Sequence, residues 1–218
     1  MVFLEFQDVS FESDNKTILK NISLRIEQGD FISIVGLSGS GKSTFLKLCS
    51  HLISPSNGNI IFKGRNFNDY SPIELRKSIA YCFQTPYLFG DTVMENIHFP
   101  YLIRNLKLDR EKADDLFSMF HMTSDFLYKD VRILSGGEKQ RIALIRSLLF
   151  LPEVLLLDEI TSALDAENAM IVENVINSLN KDGITILWVT HNPGQIRKYA
   201  NKVLSIDAGE IKSLEVIK

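Results

Sequence analysis

Apolar positions fall along this chain in two rhythms. Short runs rich in Val, Ile and Phe occur at 31–35 (FISIV), 79–83 (IAYCF), 154–157 (VLLL), 184–189 (ITILWV) and 202–206. Near-continuous apolar runs of that length predict strands buried on both faces, as in a parallel sheet. Apolar positions spaced three and four apart follow at 42–52, 168–181 and 192–199 and predict helices. Strand and helix signals in alternation predict an α/β architecture with parallel strands. Residues 2–7, 18–26 and 58–62 read as strands of an antiparallel N-terminal portion, with turns at Gly29-Asp30 and Ser56-Asn57-Gly58. Between Asp91 and Ser135 the strand signal stops, and 92–98, 109–121 and 124–128 read as helices. The expected organisation is one domain over 1–218. Its α/β core and antiparallel portion use 1–90 and 146–218, and 91–145 form an inserted helical subdomain.

Composition narrows the function classes. The chain has 218 residues, 45% apolar and 23% charged, with a net charge of −3. That balance fits a globular unit able to bury its own core and argues against a nucleic-acid-binding face. The longest apolar stretch, Leu144 to Leu151, is interrupted by Arg146 and closed by Pro152, too short for a membrane span. The start, MVFLEFQDVS, carries acids and no basic segment, so it does not read as a signal peptide. Cys49 and Cys82 lack metal-type spacing and read as reduced core residues.

The chemistry concentrates in a few segments. Gly36-Leu37-Ser38-Gly39-Ser40-Gly41-Lys42-Ser43 matches G-x-x-x-x-G-K-[ST] between a strand and a helix, the context a phosphate-binding loop requires. Its backbone N–H groups, with the neighbouring Thr44, are expected to cradle the phosphates of a nucleotide. Lys42 would bridge the β- and γ-phosphates, and Ser43 would give an oxygen to Mg²⁺. Four apolar residues and then Asp158-Glu159 describe a buried strand ending in two carboxylates. Beside such a loop, Asp158 is expected to hold Mg²⁺ through its waters, and Glu159 to orient or deprotonate the attacking water. His191 follows ITILWVT at a strand's carboxyl end and is the expected γ-phosphate contact. Gln84, after IAYCF, would reach Mg²⁺ or the attacking water through its amide. His51, His98 and His121 lack such context and read as structural.

A second anion site is written at 134–141, LSGGEKQR. Its Ser135-Gly136-Gly137-Glu138 opens a helix continued by Ile142, Ala143, Ile145, Leu148 and Leu149. A helix start offers unpaired N–H groups and a positive dipole end to an anion.

Taken together these motifs resemble the nucleotide-binding subunit of the ATP-binding-cassette (ABC) ATPases across nearly the whole chain. The matching segments are the Walker A loop at 36–43, the Q-loop glutamine Gln84, the signature at 134–138 and the Walker B strand at 154–158. Glu159, the D-loop Ser162-Ala163-Leu164-Asp165 and the switch histidine His191 complete the set. The resemblance implies a P-loop NTPase core with an antiparallel β subdomain and an inserted helical subdomain, using ATP and Mg²⁺. It further implies a head-to-tail homodimer. Each ATP would lie between one copy's Walker A loop and the partner subunit's Ser135, Gly136, Gly137 and Glu138, with an integral-membrane permease holding the pair at the cytoplasmic face of the membrane. Residues 81–105 (YCFQTPYLFGDTVMENIHFPYLIRN), with ILSGGEKQRIALIRSLLF and LPEVLLLDEITSALD, are similar to the iron-exporter (FetA/YbbL) type of subunit, which pairs with a FetB/YbbM-type permease.

One position departs from the family. Where ABC subunits often stack adenine on a tyrosine, this chain has Ser13, and the nearest aromatic is Phe11. Phe11 either stacks on adenine or is a core residue of its strand. Two other classes compete with a transporter motor. A soluble ABC ATPase of translation or DNA maintenance usually carries two cassettes or a long coiled-coil insertion, neither of which is seen here. A P-loop kinase or GTPase leaves LSGGEKQR without a role.

Overall fold

A computed structural model describes residues 2–217. They divide into two compact units, the first made of residues up to 81, 153–159 and those from 179 onward, the second of 82–152 and 160–178.

The first unit holds two sheets. β1 (Val2–Ser13), β2 (Lys16–Glu27), β4 (Asn57–Phe62) and the short β5 (Arg65–Asn66) form an antiparallel sheet in the order β2-β1-β4-β5. The expected turn at Ser56–Gly58 is already part of this sheet. Pairing with β1 reaches back to Asn57 opposite Ser10, and Ser56 N–H donates to Ser10 C=O at 2.8 Å. The second sheet has the order β10-β9-β3-β8-β7-β6. Its strands are β3 (Phe31–Val35), β6 (Ile79–Cys82), β7 (Val154–Asp158), β8 (Thr185–Val189), β9 (Lys202–Asp207) and β10 (Glu210–Val216). β9, β3, β8 and β7 pair in parallel, as their unbroken apolar runs predict, and every residue of β7 and β8 is buried. β10 turns back antiparallel on β9 through Ala208-Gly209. Its sequence, EIKSLEV, belongs to an edge strand with much of its surface in solvent, so it carries no core signal.

One apolar cluster joins these layers. Phe6, Ile26 and Phe62 of the first sheet, Ile34, Leu156, Val189 and Leu204 of the second, and Phe45, Leu46 and Leu48 of α1 (Lys42–Cys49) all belong to it. The helix stops earlier than the predicted 42–52. Ser50 Oγ bonds back to Leu46 and Lys47 carbonyls, and His51 takes a left-handed φ of +53°, which lets Leu52 N–H close on Lys47 C=O. A second short helix, α2 (Pro72–Ser78), was not anticipated. Its signals stand in the sequence: Ser71 and Glu74 form a reciprocal capping box, and Pro72 takes the first turn. α7 (Pro193–Tyr199) follows β8 as expected.

The second unit is helical, with α3 (Val93–Leu102), α4 (Arg110–Met119), α5 (Gly136–Leu148) and most of α6 (Ala166–Lys181). Its buried face includes Ile97, Tyr101, Leu116, Phe117, Ile142 and Ile145, with the three-and-four spacing of helices buried along one face. α3 runs past Pro100, beyond the predicted 92–98, and Ile103 N–H still closes on Phe99 C=O. Residues 124–128 form a 3-10 turn rather than an α-helix.

Both cysteines are buried, and burial pushes the Cys82 thiol up to about 11 and the Cys49 thiol well above its ordinary range. Neither should react with a disulfide reagent near pH 8 in the native protein, and both should react in denaturant. A rapidly labelled native thiol would contradict this packing. Leu156→Ala should lower unfolding stability by about 3 kcal/mol in a urea titration, the usual cost of a large-to-small change in a packed core.

Candidate functional site

Strand β3 delivers the chain to Gly36, where β9 leaves no room for a side chain. A Cβ there would stand 2.0 Å from Ile206 C=O. The loop then curls into α1. Leu37, Ser38 and Gly39 form its exposed tip, Ser40 is buried, and Thr44 is half-buried in the first turn of the helix. Lys42 is only 5% exposed, and its ammonium donates to Gly36 C=O at 2.9 Å and Leu37 C=O at 2.8 Å. Among the described residues no carboxylate pairs with it. Ser40 Oγ is buried and has no protein partner among them either. A buried cation without a counter-charge, beside an orphaned hydroxyl, fits a loop built around an anion.

The opposite charge lies nearby in the same unit. Asp158 ends β7 and is 7% exposed. Ser43 Oγ donates to its Oδ1 at 3.1 Å and Tyr81 Oη to its Oδ2 at 2.7 Å. No basic side chain pairs with Asp158 among the described residues. Hydroxyl and carboxylate oxygens around an unneutralised negative charge are a hard donor set that suits Mg²⁺. These residues therefore fit the ion that the motifs imply.

Glu159 follows directly with a left-handed φ of +48°, unusual for a side chain of this kind. Its backbone N–H donates to Val189 C=O at 3.0 Å, and its Oε1 lies 3.1 Å from His191 Nε2. The histidine turn is held from behind. Thr190 Oγ1 donates to Gln195 Oε1 and accepts from Asn192 N–H at 3.1 Å, and Asn192 caps α7 through Gly194 N–H. Phe11 is half-buried against the core and faces Leu19 across the sheet. Leu19 in turn lies against Gly41, where a Cβ would meet its Cδ2 at 2.8 Å. Phe11 is thus one strand removed from the phosphate loop and also packed as a strand residue.

The remaining motif residues lie in the second unit. Gln84 is exposed, past the end of β6. Ser135 caps α5 in a reciprocal box: its N–H donates to Glu138 Oε2 at 2.7 Å and its Oγ accepts from Glu138 N–H at 3.2 Å. Burial opposes ionisation of Glu138. The hydrogen bonds from Ser135 and the charges of Lys129 and Arg141 outweigh it and hold the carboxyl below its usual range. The Glu138 carboxylate is therefore turned onto its own helix end. Gly136 and Gly137 keep first-turn N–H groups that have no helical carbonyl ahead of them. Leu164 and Asn168 lie beside Gly137, and Asp165 caps α6 by accepting from Asn168 N–H at 2.8 Å.

Comparison with known proteins decides the family. The sequence pattern of the ABC transporter family matches residues 19–162. This chain belongs to the ABC transporter family. Its ABC ATPase fold is seen in a solved dimeric cassette, MJ0796 in a post-hydrolysis state bound to ADP and phosphate. The two share 29% identity with a TM-score of 0.88, each covered to 99%. The probable iron export ATP-binding protein FetA of Escherichia coli K12 is 44% identical over 212 residues, covering 96% of this chain and 94% of that one. The lipoprotein-releasing system ATP-binding protein LolD of Buchnera aphidicola is 38% identical over 190 residues, with 84% and 83% covered. The chain is thus the ATP-binding, ATP-hydrolysing subunit of an ABC transporter.

Two polar residues of the site escaped sequence reading. Tyr81 reads as one more apolar strand residue, although a half-buried tyrosine usually finds a partner for its hydroxyl. Thr190 reads as the end of a strand. Lys42→Ala should weaken ATP binding at least about tenfold, as loss of a hydrogen-bonded charge does, with an unchanged circular dichroism spectrum. Normal nucleotide affinity in that variant would refute the phosphate-loop assignment.

Proposed function

We propose that this ABC ATPase energises the export of a metal, iron, through a separate FetB/YbbM-type membrane permease. The observation that carries this reading is the 44% identity to an iron export ATP-binding protein along nearly its full length. Among the described residues no helix is long and apolar enough to cross a membrane, so the reading assigns membrane crossing to the permease. Attachment to that permease places the subunit at the cytoplasmic face of the membrane.

Within this proposal, two copies act head to tail. The loop 36–43 with Thr44 binds the phosphates of one ATP, and Phe11 lies against its adenine. The partner subunit's Ser135-Gly136-Gly137 closes over the same ATP, using the first-turn N–H groups of its helix. In this role Glu138 serves by fixing that helix end. Mg²⁺, when bound, neutralises charge on the phosphate oxygens. Ser43 and Asp158 would hold it, with Gln84 as a further oxygen donor. Glu159 accepts a proton from water as the water oxygen bonds to the γ-phosphorus; the bond from that phosphorus to the bridging oxygen breaks, and ADP leaves. His191, hydrogen-bonded to Glu159 and fixed by Thr190, contacts the γ-phosphate as its charge develops.

Glu159→Gln should keep ATP affinity, lose turnover by at least about a hundredfold as removal of a general base does, and accumulate an ATP-bound dimer on size exclusion. An unchanged hydrolysis rate would remove Glu159 from the role. For the cargo, cells lacking this protein should accumulate iron and become sensitive to it, and the subunit should co-purify with its permease. Normal iron content together with a defect in methionine uptake or lipoprotein release would overturn the iron assignment and leave the ATPase standing.

A further inference from the structure

The hydrogen bond from Tyr81 to Asp158 belongs to no motif, yet it fills one side of the carboxylate that ends β7. Tyr81 lies on β6, next to β7 in the sheet, and its ring packs against the buried core. The position of its hydroxyl is therefore set by the fold. At 2.7 Å the contact has the length of a charge-assisted O–H···O⁻ bond. A phenol has a single proton to give and can hold only one of the two oxygens. It holds Oδ2, and Oδ1 is left on the side of Ser43.

The chemical type of this partner matters. A carboxylate rotates broadly about its terminal torsion unless a neighbour fixes it. A lysine or arginine would also fix it, but would cancel its charge and compete with any cation. A neutral hydroxyl orients the group and leaves its charge in place. In a site only 7% exposed, that is the requirement for presenting an oxygen to a metal.

We propose that Tyr81 is a positioning residue for Mg²⁺ binding: its hydroxyl holds Asp158 so that the other carboxylate oxygen and Ser43 Oγ face the ion together. This rests on the reading of Ser43 and Asp158 as Mg²⁺-holding residues. Tyr81 acts through Asp158 and touches neither nucleotide nor metal.

Tyr81→Phe keeps the ring and deletes only the hydroxyl. The test is equilibrium binding of a fluorescent ATP analogue, first in EDTA and then along a Mg²⁺ titration. It compares the wild type, Tyr81→Phe and Asp158→Asn, with thermal unfolding in EDTA measured alongside. The Mg²⁺ concentration at half-effect should rise about tenfold in Tyr81→Phe, the lower end of what losing an outer partner costs a metal site. Affinity in EDTA should stay at the wild-type value, and Asp158→Asn should show a larger shift. A shift in Asp158→Asn with none in Tyr81→Phe would overturn the positioning role and leave the Mg²⁺ reading intact. Absence of a shift in both variants would overturn that reading and the proposal with it. Equal weakening with and without Mg²⁺ in Tyr81→Phe would reduce the residue to a packing role and overturn the proposal as well.

Discussion

Two buried charges of opposite sign, each without a charged partner among the described residues, set the character of this molecule. The Lys42 ammonium is held by backbone carbonyls, and the Asp158 carboxylate by two hydroxyls. Burying either group costs free energy that neutral hydrogen bonds only partly offset. A fold keeps such a pair apart when something charged from outside completes both. In the proposed function, magnesium with a nucleotide phosphate would do so in a single ligand. The rest of the first unit serves that separation. β3 ends at a glycine that β9 will not let be anything else, α1 starts from the loop, and β7 stops at the carboxylate.

Much of this was legible in the sequence because the signals were local. FISIV and VLLL are continuous apolar runs, and both became buried strands of a mostly parallel sheet. The glycine spacing of 36–43 required a tight loop ahead of a helix and found one. What escaped depended on partners distant in sequence or on weak patterning. β10 presents a mixed, half-solvated strand that only pairing with β9 reveals. The length of α1 was set by Ser50 and the left-handed His51 instead of by apolar spacing. The tie between Tyr81 and Asp158 crosses 77 positions, so no reading of neighbours could have shown it.

The signature segment gives a second lesson in local chemistry. Ser135 and Glu138 stand at the spacing of a capping box, and each satisfies the other's backbone N–H. That leaves the glycine N–H groups as the available donors of the helix end. It also assigns the glutamate a structural task that the resemblance alone did not predict. In the first unit, Thr190 plays a comparable part, fixing the turn that carries His191 beside Glu159.

The separated charges can be tested without any variant, by following thermal unfolding of the wild-type chain with ATP, with ATP and Mg²⁺, and with AMP. A ligand that completes both buried charges stabilises the folded state in proportion to its affinity. The account predicts a rise in Tm with ATP, a larger rise with ATP and Mg²⁺ together, and almost none with AMP. Equal shifts for AMP and for ATP with Mg²⁺, or no shift with either, would contradict it.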